Sequence, residues 1–356
     1  MHFKDYITQL PAYKPAKLIA QYGTDIVKLS SNENACGPSP AALTALQTGL
    51  EQIHRYPDSS ANALRNALAA RAALPPEMVL CSNGSDELVS LLCLAFLQEG
   101  DEVVMAEGTF ISYLLRTLMM GGRPVRVPLR NYTHDLAAML TAITPRTRLV
   151  FVCNPNNPTG TTSGADETYE FLAQIPQSVL VVVDEAYIEF ATRPDYPDLL
   201  PELRAGRSNL ILLRTFAKIY GLAGLRLGYA YAHPMLTSYL DRVRPTFNVN
   251  ALAQIAGIAA LSDVDHVVRS GAHANDSRRF FERELTALGL HPIPGETNFV
   301  AVDVGDDLAV TEALYQRGFT VTPLTGWGIP GCIRVSFGTT EQNTRFIAAL
   351  AAVLAH

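Results

Sequence analysis

LILLRTFAKIYGLAGLRLGY, residues 210–229, places a single lysine, Lys218, between an apolar run and a turn with two glycines, and follows it with Arg226. Leu210 to Leu213 reads as a strand buried on both faces that runs into a polar turn. A lysine in an apolar segment ordinarily snorkels its ammonium to water, and that is the commonplace reading of Lys218. Gly221 and Gly224, however, would let backbone pack closely around it. An amine held there loses solvation and its pKa falls, which makes it a nucleophile toward aldehydes and a proton carrier. What else arrives at the same place decides between the two.

Four further apolar runs end in polar residues in the same way: MVLCSNGSDE (78–87), DEVVMAEGTF (101–110), LVFVCNPNNPTG (149–160) and VLVVVDEAY (179–187). Amphipathic stretches such as ELVSLLCLAFLQ (87–98) and ADETYEFLAQI (165–175) lie between several of them. Buried strands alternating with helices imply an α/β fold with a mostly parallel sheet, in which ligands bind outside the carboxyl ends of the strands. Five strand ends would then deliver Asn83 to Asp86, Thr109 and Phe110, Asn154 to Asn157, Asp184 to Tyr187, and Thr215 to Lys218 to one edge.

From about residue 250 the texture changes to the helical ALAQIAGIAALSD (251–263) and HANDSRRFFERELTALG (273–289). The short strands TNFVAVDV, GFTVTPL and CIRVSF follow, which suggests a smaller α+β domain. The expected division is a large domain over 31–249 and a small one built from 1–30 and 250–356.

Totals narrow the function classes. The 356 residues are 48% hydrophobic with net charge −6 and pI near 5.8, so no basic face for nucleic acid is implied. No run approaches the roughly 20 apolar residues of a membrane span, and the opening MHFKDYITQLPAYKPAK has neither signal-peptide nor transit-peptide character. A cytoplasmic protein with no membrane partner is expected. Cys36, Cys81, Cys93, Cys153 and Cys332 are scattered in no metal-ligand spacing and read as reduced thiols.

Each strand end admits a structural reading and a functional one. Asp184 is a strand-ending cap, or a carboxylate brought into an apolar site to hold a cation such as a protonated ring nitrogen. Tyr187 would aim its hydroxyl at the same ligand. NPNNPTG is a turn by composition, yet a turn needs no amide at both Asn156 and Asn157. SNGSDE starts a helix, and the N–H groups near Gly84, Ser85 and Asp86 form an anion site, with Arg226 and Lys218 adding positive charge. Phe110 is a core aromatic or a face for a planar ring. The functional readings together describe a ligand with a phosphate, a protonatable ring nitrogen, a ring oxygen, a flat face and an aldehyde, which is pyridoxal 5′-phosphate.

With NPNNPTG, then a strand ending DEAY, then FAKIYGLAGLRLGY, the chain resembles the fold-type I aminotransferases, and most closely the histidinol-phosphate aminotransferases. SSNENACGPSP (30–40), HRYPD (54–58), SNGSDE, TNFVAV and IRVSFGTTEQN (333–343) extend the resemblance over nearly the whole length. It implies a large cofactor domain with a mostly parallel seven-stranded sheet. It further implies that Lys218 holds the cofactor's aldehyde, Asp184 pairs with its ring nitrogen, Tyr187 and Asn157 bind its ring oxygen, and Phe110 stacks on the ring. Gly84, Ser85, Asp86, Thr215 and Arg226 would surround the phosphate, joined by Tyr56 from the neighbouring subunit of a homodimer. Arg334, Tyr13 and Asn157 would meet the substrate. The implied reaction is transamination of an amino donor, L-histidinol phosphate, with 2-oxoglutarate as acceptor, in histidine biosynthesis.

Two positions depart from the family pattern. Ala217 stands where a serine usually precedes the lysine, which removes one hydroxyl from the phosphate cup. Thr322 in VTPL stands where histidinol-phosphate enzymes carry an arginine, which favours an aromatic amino acid as alternative donor. A phospho-amino-acid decarboxylase would share the cofactor residues. A regulatory module would need an attached DNA-binding domain, for which this chain has no room, and a nucleotide-binding protein would need a GxGxxG or P-loop pattern after a strand, which is absent.

Overall fold

The computed structural model describes residues 4–8, 10 and 26–355. Its strands are β1 (Val27–Lys28), β2 (Val79–Ser82), β3 (Glu102–Ala106), β4 (Arg123–Val127), β5 (Thr147–Cys153), β6 (Leu180–Asp184), β7 (Leu210–Thr215), β8 (Gly228–Ala232), β9 (Pro292–Ile293), β10 (Phe299–Asp303), β11 (Phe319–Thr320), β12 (Thr322–Pro323) and β13 (Cys332–Ser336). Seven of them form the large sheet in the order β2-β8-β7-β6-β5-β3-β4. Neighbours from β7 to β4 are parallel, and β8 runs antiparallel to both β7 and β2. The mostly parallel seven-stranded sheet is therefore as expected.

The two-residue period of a strand sorts the side chains of this sheet between two cores. Val150, Val152, Val181, Val183, Leu210 and Leu212 enter one core. Leu149, Phe151, Cys153, Leu180, Val182, Ile211 and Leu213 enter the other, where they meet Leu88 and Leu92 of the helix Ser85–Phe96 and Tyr113 of the helix Ile111–Met119. The same alternation carried one step further sends Asp184 and Thr215 toward the second face and Glu185 and Arg214 toward the first. Glu185 and Arg214 form a buried ion pair there at 2.7 Å. The side on which each strand end presents its polar residue thus follows from the core beneath it.

The strands after residue 290 build a four-stranded antiparallel sheet in the order β12-β13-β10-β9. GFTVTPL, read above as one strand, divides: β11 pairs in parallel with β1, while β12 pairs with β13. Residues 27–28 therefore join the C-terminal part of the chain. The short helix Asp5–Thr8 instead touches the helix Ile111–Met119, with the Tyr6 ring beside Gly121. The helix Ala251–Ser262 lies on the helices Pro40–Gly49 and Asn62–Ala72. Among the described residues no single helix is long and apolar enough to cross a membrane, and all five cysteines are free.

Candidate active site

A cavity of about 140 Å³ opens at the carboxyl edge of the large sheet, lined by Ser85, Asp86, Phe110, Cys153, Asn157, Asp184, Ala186, Tyr187, Thr215, Ala217, Lys218 and Arg226. Five strand ends meet there, as the parallel order of β2, β3, β5, β6 and β7 requires.

Lys218 Nζ donates to the backbone carbonyls of Ser31 and Asn32, each at 3.3 Å, and stands 5.4 Å from the centre of the Tyr187 ring. Burial pushes its amine down to about 7, and the nearby Arg334 and Arg226 push the same way against Glu33 and Asp184. This is the desolvated lysine of the functional reading. Gly221 bears out the close packing around the turn, since a Cβ there would lie 2.1 Å from the carbonyl oxygen of Gly37. Gly224 does not, for it faces open space.

Asp184 is buried, and burial raises its carboxyl to about 6 against the opposing hydrogen bonds. Its Oδ2 accepts from the Tyr113 hydroxyl at 2.7 Å and its Oδ1 from the Ala186 N–H at 3.1 Å. The Tyr187 oxygen accepts from Asn32 Nδ2 at 2.8 Å. The orientation of the Asn32 amide is set by Ser336, whose Oγ accepts from the Asn32 N–H and donates to Oδ1. With that acceptor position filled, the Tyr187 hydroxyl keeps its own proton to donate into the cavity.

At the other end of the cavity the helix Ser85–Phe96 begins after Gly84, and its first-turn N–H groups lack partners within the helix. Two glycines shape this corner. A Cβ on Gly84 would lie 2.6 Å from Arg226 Nη2, and Gly84 itself has φ +82°; a Cβ on Gly228 would lie 2.4 Å from the Ser85 nitrogen. Thr215 Oγ1 accepts from the Ala217 N–H at 3.0 Å and so rims the same corner. The Asp86 carboxylate is turned away, paired with Arg116 at 2.7 Å and bonded to Ser112, so what Asp86 offers an anion is its backbone N–H.

Arg334, on β13, adjoins the cavity through Asn157. It donates to Asn157 Oδ1 at 2.5 Å, to the Ser30 carbonyl at 2.6 Å and to Thr322 Oγ1 at 3.1 Å, while its buried Nε has no hydrogen-bond partner among the described residues. The rings of Phe299 and Trp327 lie about its guanidinium at 5.5 and 5.4 Å. Burial lowers it to about 10, which leaves it cationic at neutral pH. Asn156 has a different use from the one its sequence position invited. Its amide bonds Thr109, Thr159, His134 and the Gly108 carbonyl, a buried network that holds the turn. Tyr56 is 82% exposed and stacks on Phe247 at 4.6 Å, away from this cavity. Tyr13 lies outside the described residues.

A cavity lined by a low-pKa amine and a buried carboxylate, with an anion corner and an adjoining arginine, offers the groups that a phosphorylated, ring-bearing aldehyde would need. The family model for aminotransferase class I and II matches residues 24–350, and the chain belongs to that family. It is a pyridoxal 5′-phosphate-dependent aminotransferase. It is 46% identical to the histidinol-phosphate aminotransferase of Moorella thermoacetica, over 99% of this chain and 93% of that protein. With histidinol-phosphate aminotransferase 2 of Pseudomonas aeruginosa the identity is 45%, over 98% and 97%. The crystal structure of histidinol-phosphate aminotransferase from Sinorhizobium meliloti in complex with pyridoxal 5′-phosphate matches with a TM-score of 0.92 at 31% identity, over 99% and 97% of the two chains.

The corner built by Gly84 and Gly228 fits the phosphate of this cofactor, because a side chain at either position would occupy space against Arg226 or the helix start. Gly228→Ala sets a methyl against backbone, which cannot yield as a flexible side chain does. The expected outcome is destabilisation by about 1–3 kcal/mol and weaker cofactor binding. Thermal unfolding and a fluorescence titration of the cofactor-free protein measure both.

Proposed function

We propose that this enzyme transfers the amino group of L-histidinol phosphate to 2-oxoglutarate, a step of histidine biosynthesis, and that the residues around the cavity divide the work as follows. The bound cofactor supplies an aldehyde and an electron sink. Lys218 Nζ, mostly neutral above about pH 7, would hold the aldehyde until the donor's amine displaces it and, once freed, would take the proton from the α carbon of the donor. Asp184 holds the positive charge of the ring nitrogen. Tyr187 and Asn157 face the ring oxygen, and Phe110 covers the ring. Ser85, the N–H groups after Gly84, Thr215 and Arg226 hold the phosphate, with no hydroxyl from Ala217.

Arg334 carries the substrate reading. It is a buried cation adjoining the cofactor cavity through Asn157, with its Nε unpartnered among the described residues, which supports a grip on an anionic group of the donor. The full-length likeness to histidinol-phosphate aminotransferases supports the phosphate of histidinol phosphate as that group. A second reading, an aromatic amino acid held by its carboxylate, has one observation in its favour. Thr322 brings no charge, and its hydroxyl is engaged with the Ser30 carbonyl at 3.0 Å and with Arg334. A panel of donors with 2-oxoglutarate, scored by kcat/KM, separates the two. Histidinol phosphate leading by tenfold or more upholds the first reading; phenylalanine or tyrosine at parity overturns it. Thr322→Arg is expected to move the ratio toward the phosphorylated donor by about 1.5–3 kcal/mol, the scale of a hydrogen bond to a charged group.

The same proposal includes a homodimer in which Tyr56 enters the neighbouring subunit's phosphate corner. Its exposure supports this, as do the exposed Leu43, Leu50, Ile53 and Phe247. It also includes a cytoplasmic location and the division into 31–249 and 1–30 with 250–356.

A further inference from the structure

We propose that Tyr113 is a positioning residue for the reaction: the hydrogen bond from its hydroxyl to Asp184 Oδ2 keeps that carboxylate ionised and fixed in orientation beside the cavity. The inference rests on the role given above to Asp184.

Tyr113 is fully buried on the helix that begins directly after Phe110. Its ring is stacked on Phe151 at 4.4 Å with the planes 6° apart, and meets Phe110 edge-on at 5.5 Å. Packing of this kind leaves the hydroxyl one place to be, 2.7 Å from Oδ2. An ionised carboxylate only accepts, so Tyr113 is the donor. Burial and the Asp184 charge hold its own pKa well above 10, so it gives a hydrogen bond and not a proton.

The surroundings make this bond count. Asp86, from the helix after β2, and Glu185, the next residue on β6, both press Asp184 toward protonation, in addition to burial. The buried Cys153 thiol, at the end of β5, is pushed up to about 12 and supplies no charge. Lys218 and Arg226 are the cations that line the cavity with it. Apart from the Ala186 N–H, the Tyr113 hydroxyl is the hydrogen bond that opposes protonation. Together the two bonds hold both carboxylate oxygens, and with them the rotation of the group. Phe110, on the ring-stacking side, and Asp184, on the nitrogen side, are thereby tied to one tyrosine.

The test is Tyr113→Phe, which keeps the ring and removes the hydroxyl. In the cofactor-free protein, the carboxyl carbon of Asp184 is followed by 13C NMR of aspartate-labelled samples and assigned by its loss in Asp184→Asn. Its titration midpoint is expected to rise by about one unit, a tenfold gain in proton affinity. In the loaded enzyme the acid limb of the kcat profile should move up by a similar amount, with KM for the donor little changed and the rate recovering as pH rises. Site-specific 3-fluorotyrosine at position 113, a more acidic donor that preserves the packing, should move the midpoint the opposite way. An unmoved midpoint in folded Tyr113→Phe, or an unmoved rate profile, overturns the proposal. Parent activity in Asp184→Asn would instead overturn the reading beneath it, so the two failures are told apart.

Discussion

Lys218→Ala is expected to lower turnover by about 10³-fold or more while leaving the fold intact, because both the nucleophile and the proton carrier are lost with one amine. Borohydride reduction of the loaded parent should fix the cofactor on the peptide containing Lys218, and the variant should yield no such adduct. Lys218→Arg should be as inactive, since it restores positive charge but no nucleophile. Cofactor uptake carries a pH signature with a definite sign. The amine is held down to about 7 by burial first and by Arg334 next, so it is mostly protonated at pH 6 and mostly neutral at pH 8. The rate at which cofactor-free protein captures the aldehyde should therefore rise through pH 7 and then level off. Turnover by Lys218→Ala at the parent rate would return this residue to the ordinary class of snorkelling lysines.

Asp184→Asn should cut kcat by on the order of 10²-fold or more, because the ring nitrogen loses the charge that stabilises its proton. The same change should make the cofactor-free protein more stable at neutral pH. Burial raises the Asp184 carboxyl from 3.8 to about 6, so the folded state binds this proton more tightly than the unfolded chain. The associated stability is present below about pH 4 and is lost as pH rises toward 6. At pH 7 the buried charge costs about 3 kcal/mol, an order-of-magnitude figure from the displacement of the pKa. Asparagine carries no such cost, and its melting temperature should lack the parent's fall between pH 4 and 6. Lower activity together with higher apo stability is the pattern of a site selected for chemistry. An unchanged rate would leave Asp184 as a strand-ending cap.

The amino-acid sequence alone determined the alternation of buried strands and helices, the edge at which their polar ends collect, and the candidacy of Lys218, Asp184, Tyr187, Phe110 and Arg226. These are local signals: a strand long enough to be buried on both faces declares itself by composition, and in a parallel sheet chain direction alone says which end carries the ligand. β8 and β4 were not legible in the same way. GYAYA follows directly from the glycine-rich turn, and RPVRV reads as a charged edge with a proline. Tertiary structure alone decided which partner each polar side chain takes. Asn156 and Asn157 are neighbours in sequence, yet one is spent on holding a turn and the other meets Arg334 from a strand 177 residues away. Asp86 keeps its backbone N–H at the anion corner, while Arg116 and Ser112 hold its carboxylate aside. Asn32 and Tyr113 were passed over because their importance lies in what they touch, Tyr187 and Asp184, at separations of 155 and 71 residues. A hydrogen bond depends on position and direction to within a few tenths of an ångström, and burial sets what it is worth. Residue type and spacing carry neither across such distances; the packed sheet and its covering helices do.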